Sequence, residues 1–273
     1  MTRIAPYSYF RGITAGALTC VALATGTAQN PELQRPREMR ALTLLQTMQV
    51  ANAPQLAPVI NALLSDTNAH MRMAPARRQT RADVARARVV ATTARAALMK
   101  YTDVSLAEQD GYQRFLPWLE DQDIYHYNNI QNVMISVDTF DVTRPVSLLY
   151  RKNKAKKLVL VGAMYSALPG ATSAELDARL PISVAHWHEH VNFCAPRPDS
   201  VRAGAVPTDS ATLTKWLKIT SSDRCNTAGG IFLPRLFGWM AHAYLFGKLD
   251  TRSVWGGEQH DHMKMPSMPG MRP

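Results

Sequence analysis

Residues 182–190 read ISVAHWHEH. The stretch is rich in Ile, Val and Trp and reads as a β-strand. Side chains alternate along a strand, so His186, His188 and His190 share one face. Neighbouring imidazoles on that face start ~6–7 Å apart at Cα, close enough for two rings to converge on one ion. A helix would still pair His186 with His190 at i, i+4. Metal binding is therefore expected on either reading. Packing alone accounts poorly for three histidines in five residues, since each buried imidazole needs partners for both nitrogens. The competing explanation is a polar surface strand or a pH-sensitive hydrogen-bond cluster. On the strand reading Glu189 points to the opposite face, as a structural residue and not a base. Asn192 joins the histidine face, placed to orient an imidazole or a water.

Similar runs lie on either side. Residues 133–137, 146–150, 158–165 and 239–246 are rich in Val, Ile, Tyr and Trp and are separated by Pro, Gly, Asn and Asp clusters. They predict a mainly antiparallel sheet. Residues 173–180 (SAELDARL) predict a short helix capped by Thr172 or Ser173. Before Asp110-Gly111-Tyr112 the texture differs. Residues 36–107 are rich in Ala, Leu and Arg, and Leu42, Leu45, Met48, Val59, Leu63 and Leu64 recur at helical spacing. A further helix is expected over about residues 80–101, with Thr80 as N-cap and Asp83 three residues on. It displays Arg81, Arg86, Arg88 and Arg95, read as a solvated face. The fold class is α+β: an N-terminal helical segment followed by a mainly antiparallel β-sheet domain carrying the histidine cluster. The expected organisation is a signal peptide at 1–28, a helical region at 29–110, the metal-site domain at 111–257 and a flexible His/Met-rich tail at 258–273.

Composition narrows the classes. The 273 residues are 46% hydrophobic and 19% charged, which excludes full-length disorder. Three cysteines exclude a disulfide-dense mini-scaffold. There is no GxGxxG, Walker loop, GxSxG or internal repeat, so nucleotide-dependent chemistry and common serine hydrolysis lose their support. The formal charge of +10 permits anionic partners. No aromatic residues interleave the basic helix, and nucleic acid is not an expected partner.

The N-terminus reads as an address. Arg3 and Arg11 precede an uncharged run, GITAGALTCVALATG, and Gly26-Thr27-Ala28 offers small residues for cleavage. The run is too short to span a ~30 Å hydrocarbon core comfortably, so no stable membrane span is expected, a short anchor being the alternative. Export to the periplasm or medium removes Cys20 and leaves Cys194 and Cys225 as an even pair. They are expected to form a disulfide, two buried thiols being the alternative.

His126, in IYHYNN, and His242, in WMAHAY, sit in apolar contexts. Each reads alone as a satisfied core histidine, and beside the cluster as a third or fourth ligand. The last residues read HDHMKMPSMPGMRP. His260 and His262 precede Met263, Met265, Met268 and Met271 with no core-like period. Thioethers select Cu(I), and imidazole accepts copper or zinc, so the tail reads as a copper-capturing segment. His70-Met71-Arg72-Met73 echoes it faintly, although a helix surface or turn explains those residues equally well.

Residues 100–246 also carry a recurring pattern: Tyr101, Asp103, Asp110-Gly111-Tyr112, His126-Tyr127 and Asn129, then Arg144-Pro145, Leu148-Leu149-Tyr150 and Leu160-Val161-Gly162-Ala163-Met164-Tyr165. It ends with Trp187-His188, His190, Asn192, Cys194, Phe237-Gly238-Trp239-Met240 and His242. This pattern resembles a family of uncharacterised secreted bacterial proteins. The resemblance implies an exported domain whose histidines meet at one metal site, and it implies no catalytic role.

Two functions follow. The first is an exported metal-binding protein, for copper with zinc as the alternative, using His126, His186, His188, His190 and His242 as the fixed site and the tail for Cu(I) capture. The second is a secreted metalloenzyme, copper redox or zinc hydrolytic, holding the ion on the same histidines with an open position.

Overall fold

The computed structural model describes residues 37–51, 53–65, 69–197, 199 and 210–256. Helices α1 (Arg37–Ala51) and α2 (Ala57–Ser65) are followed by a short strand β1 (Met71–Met73) and by helices α3 (Arg81–Leu98) and α4 (Val104–Gln109). Strands β2 (Gln113–Arg114) and β3 (Tyr125–Asn128) lead into α5 (Ile130–Asp138) and the hairpin of β4 (Ser147–Lys152) and β5 (Leu158–Ala167). Helix α6 (Ser173–Arg179) precedes β6 (His188–Pro196). Helices α7 (Ser210–Leu217) and α8 (Ser222–Thr227) precede the long strand β7 (Gly230–Tyr244) and α9 (Thr251–Trp255). The strands form one sheet in the order β1-β6-β7-β5-β4-β3-β2, and every neighbouring pair is antiparallel. The α+β class is therefore as expected. No described helix is long and apolar enough to cross a membrane.

Helix α3 forms where its cap and its apolar period agree. The Thr80 side chain accepts from the Asp83 amide and the Asp83 side chain accepts from the Thr80 amide, a complete capping box. Ala87, Ala91, Ala94 and Leu98 recur on one stripe and are buried. They pack against Tyr127 and Tyr150 of the sheet and Trp187 just before β6, with alanine letting the helix backbone lie close to the aromatic rings. Of the four arginines on this helix, Arg86 and Arg95 are engaged: Arg86 reaches Asp177 and Arg95 donates to the Gly247 carbonyl. Helix α6 is likewise capped by a box between Thr172 and Glu175.

A second apolar cluster joins Ile60 and Leu63 of α2 to Phe193 and Leu236 of the sheet and to Trp216 of α7. Fully burying side chains of this size contributes ~1.5–3 kcal/mol each. The helical lead thus shares its cores with the sheet, and β1 adds an edge strand beside β6. Cys194 of β6 and Cys225 of α8 form the expected disulfide across a separation of 31 residues. Restricting the unfolded chain in this way is worth ~3 kcal/mol.

Two expectations are corrected. Residues 133–137 lie in α5 and not in a strand. Asn129 caps that helix by accepting from the Asn132 amide, and Val133 and Val137, four residues apart, are buried. A short apolar run does not by itself distinguish helix from strand, and the cap decides. Residues 182–187 also precede the strand: Val184 and Ala185 both donate to the Pro181 carbonyl, a turn that holds β6 back until His188.

Gly162 marks a close backbone approach within the sheet. A Cβ there would stand 2.1 Å from the Ala243 carbonyl oxygen on β7. Gly162→Ala is expected to cost about 1–3 kcal/mol, a Tm loss of roughly 2–12 °C. Gly247→Ala meets nothing within 4 Å and should leave the Tm near the parent value. Thermal unfolding of the two variants side by side checks this; equal Tm values would contradict it.

Candidate metal centre

The register places the histidines. On β7, Trp239, Ala241 and Ala243 belong to the core under α3. Met240, His242 and Tyr244 therefore occupy the opposite face. His126 of β3 reaches the same face, with its Nε2 3.2 Å from His242 Nε2. Strands β4 and β5 lie between these two histidines. Flat spacing would separate their backbones by roughly 14 Å. The short nitrogen separation therefore requires the sheet to curl, concave toward the histidines. From β6, His188 stacks on His242 with centroids 5.3 Å apart, and His190 meets His188 edge-on at 5.6 Å. Four imidazoles from three strands thus line one hollow.

Their environment suits neutral rings. His188 Nδ1 lies 3.1 Å from the His186 carbonyl, and the Ile124 backbone hydrogen-bonds the His126 ring. Holding one ring nitrogen on a carbonyl leaves the other as an acceptor, the arrangement that ligating histidines use. Burial pushes His126 down to about 4. Burial and the neighbouring His188 push His190 down to about 3. His190 Nδ1 is buried with no hydrogen-bond partner. An orphaned polar atom of this kind costs about 1–3 kcal/mol.

The strand register sets methionines opposite the rings. Cross-strand partners place Met240 and Met73 opposite His188, Met71 opposite His190, and Met164 opposite His242. Directly opposed side chains project from the same face with Cβ atoms about 5 Å apart. The HMRM segment is thus neither helix nor turn but an edge strand set against the histidines. Met164 and Met240 had no assigned role in the sequence reading. The strand pairing that gives them one is long-range and leaves no local sequence signal.

The other site expectations divide. His186 precedes β6, and its side chain is exposed. The even alternation assumed for 186, 188 and 190 is broken before His188 by the turn, and β6 shifts register against β7 between His188 and His190. Glu189 does point away, buried against Arg72 of β1 and 3.4 Å from Arg235 of β7. Asn192 lies at φ 59°, so simple alternation does not carry its side chain to the histidine face. His70 is buried with its ring nitrogens facing the Val191 and Leu217 carbonyls, a structural position. The signal segment with Cys20, and His260, His262, Met263, Met265, Met268 and Met271, lie outside the described residues.

Among the described residues no three His, Cys, Asp or Glu side chains form a group that could hold an ion as they stand. The His126–His242 pair sits at the separation that two ligands of one tetrahedral ion would have. A third ligand would have to come from His188 or His190.

A cavity of about 1040 Å³ opens beside these rings. His126, His190 and His242 line it, together with Leu44 and Met48 of α1, Phe115, Met164 and Phe237. Comparison with protein-family models, with curated proteins and with solved structures finds no match.

The turn that delivers His188 is tied down by charge. Arg77 grips both oxygens of Asp83 at 2.7 Å and reaches Asp177 of α6 at 2.6 Å. Asp177 accepts from the Ile182 amide, and Ser183 donates to Asp83. The Arg77 guanidinium holds the Asp83 carboxyl well below the usual carboxylate range. A carboxyl depressed in the fold stabilises above its unfolded pKa of about 3.9, and that contribution fades as the pH falls below it. Asp83→Asn should therefore lower the Tm near neutral pH, with the gap to the parent narrowing as the pH falls below about 4. Paired thermal melts across that range check the sign; a gap independent of pH would contradict it.

Proposed function

We propose that this is an exported metal-binding protein that holds copper on the concave face of its sheet, acting in copper handling or tolerance. His126, His188, His190 and His242 are the candidate ligands, with zinc as the alternative ion. One observation carries the reading: four imidazoles gather on a single face and the strand register sets four methionines opposite them. Imidazole with thioether is a donor set that suits copper, while hard cations prefer carboxylate and carbonyl oxygen. The lowered His126 and His190 favour the same reading, because a protonated imidazole cannot ligate.

Further support comes from outside the hollow. The leader-like segment at 1–28 fits delivery to the periplasm or medium, and the Cys194–Cys225 disulfide fits an oxidising compartment. The resemblance to secreted bacterial proteins points the same way. The tail methionines Met263, Met265, Met268 and Met271, with His260 and His262, would capture Cu(I) for transfer to the fixed site.

The cavity favours a second reading. A pure carrier has no use for a cavity of about 1040 Å³ beside its ligands, whereas a metalloenzyme does. Bound copper would supply redox chemistry there, and bound zinc would activate water. The imidazoles would hold the ion, and the apolar walls would exclude bulk water.

Elemental analysis of the purified chain after copper loading and dialysis tests the first reading. About one tightly held ion per chain is expected, and His188→Ala and His242→Ala should each weaken it by roughly tenfold or more. His186→Ala should leave it unchanged. Stoichiometry and affinity unaltered by both central substitutions would refute the assignment. Removing residues 257–273 should weaken Cu(I) capture in a competition assay while sparing the tightly held ion. Unchanged Cu(I) affinity would remove the tail from the account.

A further inference from the structure

The cavity has two chemically different ends. One is apolar, with Leu44, Met48, Val133, Val146 and Phe237. The other carries Arg151, Lys152 and Lys156 from the β4–β5 hairpin, whose residues 151–157 read RKNKAKK, five cations without an acid. The tip is shaped by Asn153, whose side-chain oxygen accepts from the Ala155 and Lys157 amides, and Lys156 stands at φ 61°. Asp121 and Asp123 also line this end. Asp121 lies 3.3 Å from Lys152, which also donates to the Glu120 carbonyl. Among the described residues the Lys156 side chain makes no hydrogen bond or ion pair. Even after both aspartates are counted, the rim keeps a positive excess, and Lys154 and Lys157 extend it.

Between the ends run His126 and His242, and the walls hold unsatisfied polar atoms. His190 Nδ1 and Asn128 Oδ1 are buried without hydrogen-bond partners, and both residues line the cavity. Val146 to Arg151 is five strand steps, roughly 17 Å. The cavity volume of about 1040 Å³ stands at the top of the range for small-molecule sites. A long apolar volume with one cationic mouth complements a molecule with an extended hydrocarbon body and a single anionic head.

We propose that this cavity binds a single-chain amphipathic carboxylate of the fatty-acid class. The alkyl chain lies over the histidine wall toward Val133 and Phe237, and the carboxylate sits at the rim with Lys156, Arg151 and Lys152. Partly desolvated charge-assisted contacts of this kind hold a carboxylate more firmly than a hydroxyl. The proposal needs no metal, so it stands or falls separately from the copper reading.

The test is calorimetric titration of chelator-treated full-length protein with dodecanoate and with dodecanol, below their aggregation concentrations. One saturable site is expected, with dodecanoate bound at least tenfold more tightly. The double substitution Arg151→Glu and Lys156→Glu should abolish that preference while dodecanol still binds. Ala62→Trp, which intrudes on the cavity from α2, should weaken both ligands, with circular dichroism verifying the fold. No saturable binding by the parent protein would overturn the proposal. So would equal affinity for the two ligands, which needs no variant to observe. Dodecanoate binding untouched by Ala62→Trp in a folded protein would place the ligand elsewhere and would also overturn it.

Discussion

The curl of the sheet is the constraint on which the rest depends. His126 and His242 belong to strands separated by two others, yet their Nε2 atoms stand 3.2 Å apart. A flat sheet would leave each imidazole alone on an open surface. The curl rests on features of both faces. On one, the alanine stripe of α3 lies against large aromatic rings. Within the sheet, the missing side chain of Gly162 lets β5 approach the Ala243 carbonyl of β7. On the other face, α1 and α2 cap the hollow and leave the cavity beneath them. Strand β6 is fixed at its far end by the disulfide to α8 and at its near end by the Arg77–Asp83–Asp177 hub.

The same curl explains the electrostatics. Bringing imidazoles together in apolar surroundings disfavours their protonated forms, because each charge loses water and faces its neighbours. Burial lowers His126, and burial together with the neighbouring His188 lowers His190. A chain selected only for stability would replace such a cluster by apolar side chains. Retaining an unpartnered buried nitrogen at His190 is a standing cost. Binding an ion there would offset it, which is why the hollow reads as functional.

Local chemistry was legible in the sequence and long-range geometry was not. The Thr80 cap with Asp83, a cap at Thr172 or Ser173, the antiparallel strands at 146–150 and 158–165, and the Cys194–Cys225 pair all follow from short-range rules. His126 and His242 were legible only as candidates, raised by the presence of the HWHEH stretch. Misassigning residues 133–137 has a plain cause: VMISV has strand composition, and the Asn129 cap outweighs it. His186 was grouped with His188 and His190 by an alternation that the Pro181 turn interrupts. The methionines opposite the histidines were out of reach, since pairing of β1 with β6 joins residues more than a hundred positions apart. The cavity was equally out of reach, because it exists only where α1 and α2 fold back over the sheet.

Copper-edge X-ray absorption of the copper-loaded chain lacking residues 257–273 tests the central claim most directly. The account predicts imidazole nitrogen scattering together with at least one sulfur scatterer, contributed by the methionines that face His188, His190 and His242. A copper signal built only from water and carboxylate oxygen, or no retained copper at all, would contradict it.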